Sequence, residues 1–319
     1  MKKNITVIFI LIALLIGCSN NKNEVIIYCS LDRIYSEPIL KNFEKETRIK
    51  VKAVYDMEIT KTIGLVNRII AESSNPQCDL FWNNEISRTI LLKNKVILES
   101  YLSPESEKIP VRFKDNSGYW TGFAARARII IYNKDKFKNR QLPNSILDLI
   151  EPEWKGKAAI ANPLFGTTAT HSAVLTSKFG IEWTEEFFNK IKVNKIGILD
   201  GNATVRDMVV SGEFWWGMTD TDDANGAIVD GKNVGIIYPD QSDEQMGTLI
   251  IPNTIALIKN SPNQENAKKL IDYILNPKTE KRLAYSRSAQ IPLRSNIDYP
   301  ESIKSIGDIK TYIVRLLIQ

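Results

Sequence analysis

The sequence predicts an α/β protein built as two lobes joined by crossing strands. Short apolar runs alternate with stretches of helical periodicity, the pattern of parallel βαβ units. About 300 residues follow the N-terminal segment, more than one typical core holds. A long apolar run at residues 247–258 comes late in the chain, placed to cross back to the first lobe.

The chain opens with Met1, Lys2 and Lys3, then an apolar run from Ile5 to Ile16. That run is short for a hydrocarbon layer of ~30 Å, so a secretory signal is expected in preference to a membrane span. It closes on Leu15-Ile16-Gly17-Cys18, which resembles the lipobox of bacterial lipoproteins, with Cys18 acylated and first in the mature chain. A plain secretory signal is the alternative. Ser19-Asn20-Asn21-Lys22-Asn23 has nothing to bury and reads as a polar tether. The expected address is the periplasm or cell surface, with the membrane contacted through the lipid alone. Residues 1–17 are therefore assigned to the signal and 18–24 to the tether. Residues 25–125 with 248–319 form the expected first lobe, and 126–247 the second.

Residues 25–29 read as a buried strand, and the following helix carries Ile39, Leu40 and Phe43 on one face. Residues 49–55 alternate as a second strand, 60–72 have helical spacing, and 79–82 form a third strand before a helix holding Ile86, Ile90 and Leu91. Further strands are expected at 128–132, 157–161, 215–218 and 234–238, with helices at 169–179, 183–193 and 205–211. After the crossing run come helices at 264–275 and 277–284, and no internal repeat is visible.

The formal charge is +5, and removing residues 1–17 takes away Lys2 and Lys3 to leave +3. No stretch interleaves basic and aromatic residues, so nucleic acid is not an expected partner. Cys29 ends one strand and Cys78 begins another. If those strands are parallel neighbours, the thiols lie roughly 13 Å apart at ~3.3 Å per residue, beyond disulfide reach. Two buried, unbridged thiols are predicted.

In open α/β sheets ligands bind beyond the carboxyl ends of the strands. Four segments have that placement: Ser30-Leu31-Asp32-Arg33, Asn83-Asn84-Glu85, Gly166-Thr167-Thr168, and Thr219-Asp220-Thr221-Asp222-Asp223-Ala224. Gly166, Thr167 and Thr168 make a candidate anion cradle, since glycine permits close approach and a helix end donates N–H groups; an ordinary N-cap is the alternative. Asp220, Asp222 and Asp223 crowd like charges that a metal ion, a ligand ammonium or the neighbouring Arg206 would relieve, unless the turn is simply solvated. Arg126 and Arg128 share one face of a strand and either point into a cleft or form a surface or structural pair. Trp82, Trp120, Trp215 and Trp216 read as core or cleft lining. His171 is the only histidine, zinc-ligand spacing and nucleophile motifs are lacking, and no enzymatic role is expected.

Taken together, several stretches resemble the solute-binding proteins of the ferric-iron type, a cluster that includes thiamine, spermidine and phosphonate binders. They are Tyr28-Cys29-Ser30-Leu31-Asp32, Asp79-Leu80-Phe81-Trp82, Gly122-Phe123-Ala124-Ala125-Arg126-Ala127-Arg128, Trp154-Lys155-Gly156-Lys157, Gly166-Thr167-Thr168, Val210-Ser211-Gly212-Glu213 and Ala289-Gln290-Ile291-Pro292-Leu293. The resemblance implies a type II periplasmic-binding-protein fold, each lobe a mixed, mostly parallel sheet flanked by helices, closing on a solute by hinge bending. It implies a monomer without a cofactor, a metal ion or anion being cargo, and delivery to an ABC permease and its ATPase. Arg126 inherits an anion-contacting role. Ferric binders carry two adjacent tyrosines where this chain has Thr219-Asp220-Thr221-Asp222-Asp223. A metal, if bound, is expected on Asp32, Glu85 and Asp222. An arginine and the Gly-Thr-Thr segment opposing the aspartates suit a small zwitterion, such as an aminophosphonate, equally well. A sensory binding protein feeding a receptor shares the same site.

Overall fold

A computed structural model describes residues 23–56 and 63–313. The expected signal, Cys18, most of the tether and the start of the helix expected from residue 60 lie outside the described residues.

The first part of the chain follows its apolar periodicity closely. β1 (Glu24–Cys29) leads into α1 (Arg33–Thr47), which buries Ile39, Leu40 and Phe43 and stops at Arg48, in the left-handed region. There follow β2 (Lys50–Tyr55), α2 (Ile63–Ala71), β3 (Leu80–Asn83), α3 (Ser87–Asn94), β4 (Leu98–Glu99) and the long β5 (Thr121–Asn133). The middle comprises β6 (Ala158–Ala161), α4 (Gly166–Phe179), α5 (Ile181–Val193), β7 (Gly197–Leu199), α6 (Asn202–Ser211), β8 (Trp216–Asp220), α7 (Thr221–Val229) and β9 (Val234–Ile237). The chain closes with β10 (Thr248–Ile258), α8 (Gln264–Leu275), α9 (Pro277–Tyr285) and β11 (Thr311–Ile313).

The strands run in the order β2-β1-β3-β10-β5-β8-β6-β7; β4 and β11 also pair with β10, and β9 with β5. β1 is parallel to β2 and β3, and β6 to β7 and β8, as helical crossovers require. β5 and β10 run antiparallel to each other at the centre. β5 changes partners along its length. Thr121 to Ala127 pair with β10, whereas Arg128 to Asn133 pair with β8 and β9. In its first half the register slips opposite Pro252/Asn253, and Ala124 takes a φ of 41°. Buried Glu280 braces that bulge, its Oε1 accepting from the backbone N–H of Ala124 at 3.1 Å and of Leu293 at 2.9 Å.

Two expectations are corrected. The strand expected at 128–132 begins seven residues earlier, at Thr121, because small and charged residues there are covered on both faces and show no apolar alternation. Thr219–Asp223 is not one loop: Thr219 and Asp220 end β8, and α7 starts at Thr221. Cys29 is level with Trp82 across the parallel β1–β3 pair, four residues from Cys78; both thiols are buried and no disulfide joins them.

Candidate functional site

One cleft of about 190 Å³ gathers residues from seven separate parts of the chain. Its walls are helix beginnings. α1 contributes Asp32 and Tyr35, α4 contributes Phe165 to Thr168, α6 contributes Gly201 to Ala203, and α7 contributes Asp222, Asp223 and Gly226. None of these four helices has its first N–H groups capped by the side chain of its N-cap residue. A helix start leaves N–H donors without intrahelical partners and carries a partial positive charge. On α7 the first-turn Asp222 and Asp223 offset that charge, but α4 and α6 carry no acid in their first turns. The starts of α4 and α6 are therefore two open anion-binding ends facing one space. Gly166, at φ 54°, holds the backbone in the left-handed region as α4 begins.

Beneath the cleft lies a buried ionic floor. Arg128 Nη1 donates to Asp220 Oδ1 at 2.8 Å, Asn202 Oδ1 at 3.0 Å and Thr167 Oγ1 at 3.2 Å. Thr167 donates to Asp220 Oδ2 at 2.8 Å and accepts from Asn202 Nδ2 at 2.9 Å. One proton and two lone pairs exhaust a hydroxyl, so the Thr167 hydroxyl is committed to the floor and its backbone N–H is what faces a guest. This network fastens α4 to α6. Burial opposes ionisation of Asp220, yet Arg128 and Arg126 outweigh it and hold the carboxyl below its ordinary range.

Arg126 is 4% exposed and does not oppose the aspartates, contrary to the sequence expectation; it sits among them. Its Nη1 lies 3.2 Å from Asp220 and 3.4 Å from Asp222, and Nη2 donates to the Asn84 carbonyl. Burial works against its charge, but Asp222, Asp220, Asp32 and Asp223 more than compensate, raising its pKa further. The Nε of Arg126 and the Oδ1 of Asn84 are both buried without a partner, and both residues line the cleft. Counting lining charges, Asp32, Asp200, Asp222 and Asp223 against Arg126, Arg206 and Arg287 leave −1. Burial, with Asp222 and Asp32, pushes the Tyr35 hydroxyl up to about 12, so it stays protonated at neutral pH.

Of the residues expected from sequence, Asp32, Asn84, Arg126, Gly166, Thr167, Thr168, Asp222 and Asp223 line this one cleft. Ser30, Glu85, Thr219 and Asp220 do not. Ser30 is buried behind the wall, donating to Asn83 Oδ1 at 2.9 Å. Thr219 donates to the Asn202 carbonyl at 3.2 Å, and Asp220 belongs to the floor. Glu85 accepts from the Ser87 and Arg88 N–H groups and from Thr170. The expected metal set of Asp32, Glu85 and Asp222 is thereby not assembled. Oxygens of Asp220, Asp222 and Asp223 do lie within 4.8 Å of one another, but Arg126 already occupies the space beside them. Sequence reasoning missed Tyr35, Asn162, Asp200, Asn202 and Arg287.

Comparison with known proteins bears on this geometry. The family model described as "Bacterial extracellular solute-binding protein" matches residues 89–306. Iron uptake protein A1 of Synechocystis sp. is 26% identical, over 91% of this chain and 81% of its own length. A putative 2-aminoethylphosphonate-binding periplasmic protein of Salmonella typhimurium is 25% identical, over 73% of this chain and 67% of its own. The crystal structure of apo ferric ion-binding protein A of Pasteurella haemolytica superposes with a TM-score of 0.79 at 28% identity, covering 91% of this chain and 90% of that one.

Proposed function

This chain belongs to the bacterial extracellular solute-binding proteins and has the two-lobe periplasmic-binding-protein fold, and we propose that its cleft captures a small organic solute carrying both an anionic and a cationic group. It is the extracytoplasmic solute-binding component of an importer of the ferric-iron-type family, and proteins of this kind work with an ABC permease and its ATPase. The change of partners in β5 between Ala127 and Arg128 supports lobes of residues 25–125 with 248–319 and of 126–247, and a hinge there.

One observation carries the reading of the solute: the open starts of α4 and α6 and the aspartates of α7 share a single cleft. The anion belongs on the N–H groups and Arg126, the ammonium on Asp32, Asp222 and Asp223. A cleft of 190 Å³ falls below the roughly 300 Å³ at which drug-sized pockets begin, which favours an aminophosphonate-sized guest over thiamine or spermidine. Ferric ion is the second reading, favoured by the three clustered carboxylates and by the iron-named relatives. Calorimetric titration of solute-stripped protein with 2-aminoethylphosphonate, phosphate and ferric ion with carbonate separates the two. Heat from the aminophosphonate and none from ferric ion is expected, and the reverse would overturn this reading.

The membrane attachment is a lipid on Cys18, and the protein is a monomer that delivers its solute without catalysis. Mass spectrometry of the membrane-extracted protein is expected to find Cys18 acylated and first in the chain.

A further inference from the structure

On the two-lobe reading just given, several ties cross between the lobes: Lys310 meets Gln241, Ser242 and Asp243 beside the start of β10, and two others lie next to residues that line the cleft. At one of them Glu85, just before α3, accepts from Thr170 Oγ1 of α4 at 2.7 Å, and both residues are fully buried. From its own lobe Glu85 accepts the N–H groups of Ser87 at 2.7 Å and Arg88 at 3.0 Å, so the carboxylate is held in place where Thr170 meets it. At the other tie Arg287, beyond α9, forms a two-pronged pair with Asp230 past the end of α7, Nη1 to Oδ1 at 2.6 Å. The Arg287 carbonyl accepts from Asn225 Nδ2 at 3.0 Å.

The two ties differ in weight. A hydrogen bond to a buried carboxylate cannot be replaced by water while the lobes stay together, whereas Arg287 and Asp230 are each 43% exposed and salt screens them. Glu85, Thr170 and Asp230 do not line the cleft, and Arg287 reaches it while its guanidinium is engaged by Asp230. Both ties are complete with protein atoms alone. Apparent affinity scales with the fraction of molecules already in the competent state. Anything that holds the lobes shut therefore raises affinity without touching the solute.

We infer that Thr170, Asp230 and Arg287 are positioning residues that set solute affinity by latching the two lobes shut through protein-to-protein contacts in which the solute takes no part. Glu85, in the segment expected from sequence to reach the ligand, serves the latch.

The test is hydrogen exchange and solution scattering on purified, solute-stripped protein, for wild type, Thr170→Val, Asp230→Asn and the double variant. Thr170→Val keeps the shape and removes the hydroxyl. Amides of Asn84 and of Gly166 to Thr168 are expected to exchange about tenfold faster in Thr170→Val, less so in Asp230→Asn, with a larger radius of gyration. Peptides from β1 and β2 should keep the wild-type rate. Restoring charge complementarity by combining Arg287→Asp with Asp230→Arg should recover part of the protection lost on the exposed side. Unchanged cleft exchange in the double variant would overturn the latch, and so would equal acceleration in β1 and β2, which reports global destabilisation. Faster cleft exchange with an unchanged radius would instead overturn the two-lobe reading on which the latch rests.

Discussion

Replacing Arg126 with alanine removes the cation around which the cleft carboxylates are arranged. Its guanidinium lies 3.2 Å from Asp220 and 3.4 Å from Asp222 with almost no solvent contact, so two effects should separate. The first is on stability. Removing one partner of a buried pair costs about 3–5 kcal/mol, and the lower end applies because Arg128 still holds Asp220 at 2.8 Å. The midpoint of thermal unfolding should fall by roughly 6–12 °C. The second effect is on binding, where the lining charge goes from −1 to −2. A lost hydrogen bond from a charged donor is worth about 1.5–3 kcal/mol, so an anionic solute should bind roughly 10–100 times more weakly. A metal cation should bind more tightly, since the carboxylates lose their internal counterion. Calorimetry with 2-aminoethylphosphonate and with ferric ion reads both arms. An unchanged dissociation constant for the anionic solute removes Arg126 from the site. Weaker aminophosphonate binding that tracks the folded fraction, with no gain for ferric ion, means that only the fold was damaged.

Two further outcomes follow from buried titratable groups. Burial and the repulsion of Arg128 lower the His171 pKa from 6.5 to about 3, so between those values the unfolded chain binds a proton that the folded chain refuses. Stability present above pH 6.5 is then lost on acidification, at up to about 1.4 kcal/mol per pH unit over that window. In denaturant titrations His171→Gln should show a shallower loss, and a slope equal to wild type would contradict the assignment. Burial also pushes the Cys78 thiol up, so Cys78, like the buried Cys29 in a separate apolar cluster, should resist a thiol reagent in the folded state and react on unfolding. Labelling of Cys78 in native protein at the rate of an exposed thiol would show that β3 does not pack as described.

Some of this was legible in the residues and some was not, for identifiable reasons. β1, β3 and α8 follow local periodicity, and apolar spacing was enough to place them. α7 was hidden because Thr221-Asp222-Asp223-Ala224-Asn225-Gly226 has turn-forming composition, and the helix forms where it packs on β5 and β9. Asp32, Asn84 and Gly166–Thr168 were found because they follow apolar strands, a position that itself predicts a binding edge. Asn202 was missed because the helix expected at 205–211 starts three residues earlier, at Asn202 itself. Arg287 has no local signal at all. It reaches the cleft from more than 100 residues beyond α4, and only the sheet order brings it there.

The ion pairs within the cleft bear on the solute more than its net charge does. Ferric ion would have to displace Arg126 from Asp220 and Asp222, leaving a buried guanidinium without those counterions, and to loosen Arg206, which keeps Asp207, from Asp223. Uncompensated burial of that kind costs several kcal/mol per charge. A simple anion meets the opposite difficulty, since the N–H ends of α4 and α6 welcome it while the lining aspartates leave the cleft at −1. A solute with both charges avoids each conflict. Its anion takes the N–H groups that no side chain caps, and its ammonium supplies the positive charge the lining is short of. No existing pair has to break, so the ion pairs already made within the cleft become a filter that selects against either charge presented alone.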